Sequence, residues 1–335
     1  MLGRASLWQL CVGADVVAVA RIVSAGASVA AGADRRPAVA AELLEVWKGP
    51  LAAGPVVFAQ HGHGVVPYAD GAEQLLFLVG IERVPELAAL ARGGAVAWAS
   101  LEEHEVAFPL DPGSREATLR AARDYVAIAA QPDGEVRRAA LRAATARGIA
   151  SGDARVAPSA LRDLVAPGGE PLLSREELPV VLPALDDPRT PIGVRVGLLS
   201  ELERRRLVDA PARWAALLRE ARGSDRTAVA RAAGAHPSPE VTGELLRILA
   251  FEDGAAAEAA AVSLGVPGER TALGALAATL GRDDARLRNA AIRGIGGIGT
   301  RDAHALLERE AASHADPVTR RRAAAEAARM RRAGW

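Results

Sequence analysis

The chain has 335 residues, of which 50% are hydrophobic and only 3% aromatic, so its cores must be filled mainly by alanine, leucine and valine. Lysine plus arginine and aspartate plus glutamate both total 41, and this balance excludes a whole-chain electrostatic attraction to nucleic acid or anionic membrane. A single cysteine, Cys11, excludes an internal disulfide. This composition favours a folded protein in which helices dominate.

The first part of the chain does not have the pattern of a secretion signal. Asp15 interrupts the apolar run and Arg21 follows soon after, whereas a signal needs an unbroken apolar stretch. No apolar run is long enough for a membrane-spanning helix. Localisation stays open: cytoplasmic as the sequence is written, or cell envelope or secreted if an export signal lies upstream of Met1.

Residues 6–112 have the pattern of one short helix followed by strands. Ser6 to Gly13 is predicted as a helix, because Leu7, Leu10 and Cys11 fall on one face. The predicted strands are Val16–Val23, Ala38–Val46, Val56–Gln60, Leu75–Val79, Val96–Leu101 and Val106–Leu110. Turn-rich pieces separate these runs, and their spacing is typical of a small antiparallel barrel or sandwich.

This N-terminal part resembles the bacterial netrin-like (tissue-inhibitor-of-metalloproteinases-like) domains. The resemblance is carried by Ala14-Asp15 before the first strand, Trp47-Lys48-Gly49 at a strand end and Gly71 before the LLFLV strand. It implies a β-barrel of the oligonucleotide/oligosaccharide-binding (OB) type over residues 1–112. Inhibitory members use an N-terminal cysteine and disulfides that this chain lacks, so protease inhibition is not carried over.

The pattern changes to helix from Ser114, and Ser114 to Ala129 is predicted as the helix that leads into the second domain. Similar segments then begin at aspartates, and the last three of them are spaced by roughly 31 to 32 residues, a solenoid period. These aspartates are Asp133, Asp187, Asp225, Asp253, Asp284 and Asp316. The partner helices are predicted at Pro158–Val165, Glu176–Leu185, Ala210–Arg219, Pro239–Ala250, Arg270–Leu280 and Arg301–Ser313. Paired helices repeated in this way predict an α-solenoid over residues 113–335.

This half resembles HEAT repeats, in particular the short bacterial form of the phycobilisome-lyase-like group. The residues that carry the resemblance are Arg288, Arg320, the run Ala290-Ala291-Ile292 and the stretch GIGGIGTRDAHALL at the turn into a second helix. The resemblance implies a solenoid fold. It does not imply a lyase activity, because a fold of this kind serves many unrelated functions.

Three aspartate–arginine pairs, each four residues apart, are predicted to have a structural role. The pairs are Asp133 with Arg137, Asp284 with Arg288 and Asp316 with Arg320. Each aspartate is expected to accept hydrogen bonds from free N–H groups at the start of its helix. Each arginine, one turn later, can reach the aspartate of a neighbouring repeat. We therefore predict a ladder of contacts between repeats.

Two motifs suggest ligand sites. Gly294 to Gly299 spells the G-x-G-x-x-G of dinucleotide-binding loops, but these glycines close a helix, whereas the dinucleotide loop follows a strand and opens a helix. His61 and His63, with Glu102-Glu103-His104, contain the donors of a zinc or copper site. The sequence does not bring them together, so whether His61 and His63 bind a metal stays open, and no cofactor or metal is predicted.

No catalytic arrangement is present in the sequence. Serine and cysteine are absent from nucleophile motifs, and Cys11 has the setting of a buried small hydrophobe. The adjacent carboxylates Glu102-Glu103 and Glu176-Glu177 point apart. These observations predict no catalytic residues and a chain that is not an enzyme.

The last helix is strongly basic and supplies the candidate binding residues. These are Arg320, Arg321, Arg322 and Arg329, with Arg331 and Arg332 on the same helix. Such a patch suits phosphate, nucleic acid or an acidic partner, but a terminal repeat also needs a polar exterior for solubility. A solvated outer face is the favoured interpretation.

Taken together, the sequence predicts a non-enzymatic protein-binding scaffold or adaptor whose solenoid presents a groove to a protein partner. A nucleic-acid partner is not expected, and the oligomeric state is open. Two alternatives remain: an envelope sensor or inhibitor-like module, and an enzyme or nucleic-acid-binding solenoid that uses its concave face.

Overall fold

The computed structural model describes residues 5–31, 34–61, 68–87, 90, 96–101, 108–165 and 173–334. The chain divides into two compact units, Met1–Val194 and Arg195–Trp335. The first unit contains a six-stranded sheet together with helices, and the described part of the second consists of helices and their connections. The chain is therefore a mixed α and β protein with its sheet at the N-terminal end.

The first helix, α1 (Leu7–Gly13), forms where the sequence predicts it. Ser6 and Gln9 make a capping box, in which the Ser6 side chain accepts from the Gln9 N–H and the Gln9 side chain accepts from the Ser6 N–H. At the other end, Lys48 Nζ donates to the carbonyls of Cys11 and Val12, at 2.9 and 3.0 Å. Both ends of this short helix are thus satisfied by polar side chains.

The strands are β1 (Val16–Ala31), β2 (Asp34–Lys48), β3 (Gly54–Ala59), β4 (Glu73–Gly80), β5 (Trp98–Ser100) and β6 (Phe108–Pro109). Their order is β1-β2-β3-β5-β4-β6, and β1 also pairs with β4, so five of the strands close into a ring. The predicted small antiparallel barrel or sandwich is confirmed as a mainly antiparallel sheet, with one parallel pairing between β3 and β5. Strand β4 lies between β3 and β5 in the chain, and β5 therefore runs in the same direction as β3.

The first two strands are longer than predicted. Pairing of β1 with β2 continues to Ala31 and Asp34, beyond the predicted turn that begins at Ala33. Register shifts between Ile22 and Ala27 make the pairing of β1 with β2 irregular there. Part of the last predicted strand, residues 106 and 107, lies outside the described residues.

Apolar residues are buried on both faces of β1. Val16, Ala18 and Ala20 belong to one core cluster, together with Phe58 and Leu76. The intervening residues of the same strand face a second cluster. That cluster contains Val17, Val19, Leu75, Phe77, Leu7, Leu10 and Tyr125. Because successive side chains of a strand point to opposite faces, β1 packs against the ring interior on one side and helices on the other.

Thirteen further helices follow in the described residues. They are α2 (Arg115–Ala129), α3 (Glu135–Ala150), α4 (Val156–Val165), α5 (Leu178–Asp186), α6 (Ile192–Arg204), α7 (Pro211–Glu220), α8 (Gly223–Ala233), α9 (Pro239–Phe251), α10 (Gly254–Ser263), α11 (Leu273–Thr279), α12 (Ala285–Ile298), α13 (Arg301–Ser313) and α14 (Pro317–Arg332). Every partner helix predicted from the sequence is present, with ends that differ by a few residues.

Helices of the second unit stack in a repeating order. Helix α8 packs against α10, α10 against α12, and α12 against α14. The intervening helices pack against these, as α9 does against α10 and α13 against α14. Each pair of helices therefore meets the next pair in the same way.

Helices α2 and α4 both pack against α1, which places them in the same compact unit as the sheet. The described structure changes from strand to helix between Phe108–Pro109 and Arg115. The domain boundary predicted after residue 112 falls at this change of element type, and it stays a prediction.

Candidate functional site

A row of arginines, two buried and one partly buried, joins successive helix pairs of the second unit. Arg195 in α6 donates to Glu220 through two bonds of 2.6 and 2.7 Å, and Arg226 in α8 pairs with Glu252. Arg288 in α12 donates to Asp316 at 3.1 Å. Each arginine is the fourth residue of its helix, and each acid lies at or just beyond the end of the following helix. We call these contacts the arginine rungs.

The rungs give the repeat its period. Arg195, Arg226, Ala257, Arg288 and Arg320 occupy the same helix position and are spaced by 31, 31, 31 and 32 residues. Ala257 is the position without an arginine. There Arg282 takes over, donating to the carbonyls of Leu249 and Glu252 at 3.0 and 3.4 Å and pairing with Asp253. An arginine contact between successive helix pairs is thus kept here, but the arginine belongs to the later pair and reaches back to the earlier one.

Sequence reasoning found Arg288 and Arg320 but missed Arg195 and Arg226. Alignment on aspartates set the wrong register in the middle repeats, where Asp187 ends α5 and Asp225 lies inside α8. The signal that finds these arginines is their constant position in the first turn of alternate helices.

The predicted aspartate caps are present at the C-terminal end of the chain only. Asp284 accepts from the N–H groups of Arg286 and Leu287, and Asp316 accepts from those of Val318 and Thr319. These hydrogen bonds lower the pKa of both carboxyl groups; for Asp316 the hydroxyl of Thr319 has the largest effect. Asp133 does not cap a helix, because Gly134 occupies the N-cap position.

The other members of the predicted pairs make local contacts. Arg137 pairs with Asp133 within one turn, and not with a neighbouring repeat. Arg320 donates to the carbonyls of His314 and Ala315, at 2.6 and 3.1 Å, in the loop before its own helix. Arg320 therefore occupies the same helix position as the rung arginines, but it bonds the loop at the start of its own helix α14.

A groove of about 540 Å³ lies on the surface between α12 and α14. We call it the basic groove. Its lining residues are Asn289, Ile292, Arg293, Arg322, Ala325, Glu326, Arg329 and Arg332. It brings together Arg322 and Arg329, which the sequence predicted, with Arg293 from the preceding repeat, which it did not. Arg320 and Arg321 do not line it.

The charges in the basic groove are not balanced. Arg329 donates to Glu326 at 2.9 Å and to the carbonyl of Gly296 at 3.2 Å, so this pair is neutral. Arg322 donates to the amide oxygen of Asn289 at 2.8 Å, which leaves its charge uncompensated. Arg293 and Arg332 are exposed, and within the described part of the chain they have no acidic partner. Three guanidinium groups are therefore available to an anion.

The glycine motif closes helix α12, as predicted. Gly294 and Gly297 lie inside the helix, and Gly299 ends it in the left-handed conformation with φ +61°. A Cβ atom at Gly294 would overlap the carbonyl oxygen of Ala261 in α10. The glycines therefore permit the close stacking of α12 on α10.

The other candidate ligands do not form a site in the described residues. His61 Nε2 lies 3.5 Å from Glu86, whereas His63 and Glu102-Glu103-His104 lie outside the described residues. The part of the chain that is described contains no group of three or more residues that could hold a metal ion. Burial raises the pKa of the Cys11 thiol to about 12, so it stays protonated and unreactive at neutral pH.

One buried carboxyl group lies in the first unit. The Ser6 hydroxyl donates to Asp163 in α4, and the N–H of Leu7 donates to the hydroxyl of Ser159 at 2.7 Å. These bonds tie the start of α1 to α4. Burial raises the pKa of Asp163 to about 6, because the charged form loses its hydration.

Comparisons with known proteins give one solved structure to report. No protein-family model matches the chain, and no curated protein matches it. A structure of human deoxyhypusine hydroxylase in complex with glycerol is similar over 66% of this chain and 90% of that chain. The identity is 20% and the TM-score 0.32, values too low to support an argument about function. None of the helices in the described residues is long and apolar enough to cross a membrane.

One sequence-based prediction needs correction. The prediction that the chain is not an enzyme is contradicted to this extent: the similar solved structure is that of an enzyme, although its TM-score of 0.32 assigns no activity to this chain. The prediction rested on the absence of known nucleophile motifs, and such motifs cover only some classes of catalytic site.

Proposed function

We propose that this chain is a protein-binding scaffold or adaptor, in which residues 113–335 form an α-solenoid of HEAT-like repeats. The observation that carries the proposal is the row of arginine rungs, in which Arg195, Arg226 and Arg288 occupy a helix position that recurs every 31 to 32 residues. Similar contacts between successive helix pairs are what a solenoid requires, because each repeat is stabilised mainly by its neighbours. The extended surface of such an array serves to hold a partner.

The buried arginines of two rungs favour a surface of fixed geometry. Arg195 and Arg226 are almost fully buried, and each is satisfied by a carboxylate of the next helix pair. A buried arginine in a shifted register would lose its partner at a large cost in free energy. The rungs thus favour one stacking register, and a rigid binding surface loses little entropy when a partner docks.

We further propose that the N-terminal ring is a netrin-like barrel of the OB type. The return of β4 to β1 and the apolar cluster formed by Phe58, Ile22 and Leu76 support this proposal. In this proposal the helices of the second unit provide the main surface for the partner.

The test uses the full-length chain with a photo-crosslinking amino acid at one of two exposed valines. Val262 lies on α10 of the helical unit, and Val23 lies on β1 of the sheet. The proposal predicts that a specific protein adduct forms from position 262 in extracts and is reproduced with the purified partner. Adducts from position 23 alone would contradict it.

A further inference from the structure

We propose that the basic groove between α12 and α14 binds an acidic segment of a protein partner, whose carboxylates pair with Arg293, Arg322 and Arg332. The inference rests on the proposed function in that it names the chemistry of the partner. The groove itself, its charges and its lining are features of the second unit alone.

The basic groove carries an excess of positive charge. Glu326 is the acidic member of the lining, and its carboxylate is held by Arg329. Arg322 uses one N–H for Asn289, and a guanidinium group has five N–H donors, so most of its donors remain free. Arg293 and Arg332 contribute two more exposed cations from different helices. Cations on both walls favour a ligand that lies in the groove and carries several negative charges.

The lining favours carboxylates over nucleic acid. Strands of nucleic acid are held by stacking of their bases on aromatic side chains as well as by cations, and among the described residues no aromatic side chain lines the basic groove. Glu326 would also lie close to a continuous row of phosphates. Guanidinium groups match carboxylates in bidentate geometry, and separate side-chain carboxylates can avoid Glu326.

The lining of the groove also contains uncharged residues that suit a peptide. Ala325 is exposed beside the arginines, and Asn289 offers an amide group for a peptide backbone. A segment in which acidic residues alternate with small apolar ones would place its carboxylates against the arginines and its methyl groups between them. The groove volume of about 540 Å³ accommodates a few such side chains.

Fluorescence anisotropy of a labelled peptide of alternating glutamate and alanine, added to the full-length chain, tests the inference. The groove variant carries Arg293→Gln, Arg322→Gln and Arg332→Gln. The matched control carries Arg286→Gln, Arg301→Gln and Arg309→Gln, three exposed arginines outside the groove with the same total change of charge. Circular dichroism and thermal melting check that both variants are folded.

The inference predicts saturable binding by the natural chain, about a tenfold or greater loss in the groove variant and little change in the control. Glu326→Gln should tighten binding, because it removes the carboxylate of the groove and frees Arg329. Equal losses in both triple variants would overturn the inference, as would no binding of the peptide, or tighter binding of a thymidine oligonucleotide than of the peptide.

The same variants separate this inference from the proposed function. If the photo-crosslinked partner binds the groove variant as tightly as the natural chain, the acidic-segment inference is wrong and the scaffold function stands. If no partner is found, but the peptide still binds in an arginine-dependent way, the scaffold function fails and the groove remains an anion site.

Discussion

Arg288 in α12 donates at 3.1 Å to Asp316, the residue that caps helix α14. The same arginine donates through Nε to the Thr319 hydroxyl at 3.0 Å, and that hydroxyl in turn donates to Asp316 at 2.6 Å. One carboxylate therefore begins a helix and joins that helix to the preceding repeat. This double use is specific to Asp316 and Arg288, because Arg137 and Arg320 of the other predicted pairs make local contacts.

Replacement of Asp316 by alanine should destabilise the chain more than replacement of Asp253. Asp316 caps α14 and accepts from Arg288, whereas Asp253 makes no side-chain cap bond and pairs with Arg282 at an exposed position. Urea unfolding of the two alanine variants gives the comparison. Equal losses of unfolding free energy in the two variants would show that the cap of α14 and the bond to Arg288 add no stability beyond that of a surface ion pair.

The Asp316 contribution should also depend on pH. Its pKa is lowered in the folded state, so the stabilisation is present above the ordinary aspartate pKa and is lost as the pH falls through the lowered value. Unfolding measured at several acidic pH values should show a smaller difference between natural chain and Asp316→Ala as the pH falls. A difference that grows with acidity would contradict this assignment.

Arg226→Met should lower the free energy of unfolding by about 3 kcal/mol, because it leaves the Glu252 carboxylate without its buried partner. Arg231→Met on the exposed face of the same helix is the matched control and should change stability little. Denaturant titration of both variants measures the difference. Similar stabilities would mean that the rung at Arg226 does not hold the stack together.

Alanine at two helical glycines should have opposite effects. Gly294→Ala should destabilise by roughly 1–3 kcal/mol, because its Cβ overlaps the carbonyl of Ala261 in the neighbouring helix. Gly243→Ala, in α9 where a Cβ meets no neighbour, should stabilise by about 0.5–1 kcal/mol. Thermal melting of the two alanine variants measures these effects. If both substitutions stabilised the chain, α12 would not be stacked tightly on α10.

The buried Asp163 should make stability depend on pH between about 4 and 6. Its folded pKa is raised, so the contribution is fully present below the ordinary aspartate pKa and is lost as the pH rises through about 6. Asp163→Asn should remove the change of stability with pH in this range and raise the free energy of unfolding at pH 7 by about 2 kcal/mol. Asp225→Asn, at an exposed position, controls for the loss of one carboxylate. If the free energy of unfolding of Asp163→Asn still changed with pH as in the natural chain, Asp163 would not be the group that titrates.

Local patterns were enough to predict most elements. The capping residue Ser6, the β-branched run after Asp15 and the spacing of Asp284 and Asp316 each depend on near neighbours in the chain. The elements that carry them are present at those places. The closing of the strand ring could not be predicted in the same way, since the pairing of Val16 with Leu78 joins residues far apart in sequence.

The basic groove could be predicted only in part. The run of arginines in α14 is visible as a local excess of charge, but the run does not show which of them share a face with an earlier helix. Arg293 joins the groove because α12 stacks against α14, whereas Arg321, in the same run of arginines, does not line it. Contacts between repeats depend on the stacking register, which the buried rungs set and the sequence period indicates only roughly.

Hydrogen–deuterium exchange of the full-length chain, with and without the purified photo-crosslinked partner, tests the scaffold function most directly. The account predicts that the partner slows amide exchange in α12 and α14 and in neighbouring helices of the second unit, while the strands β1 to β4 exchange as before. Protection confined to those strands, with the helices unchanged, would contradict it.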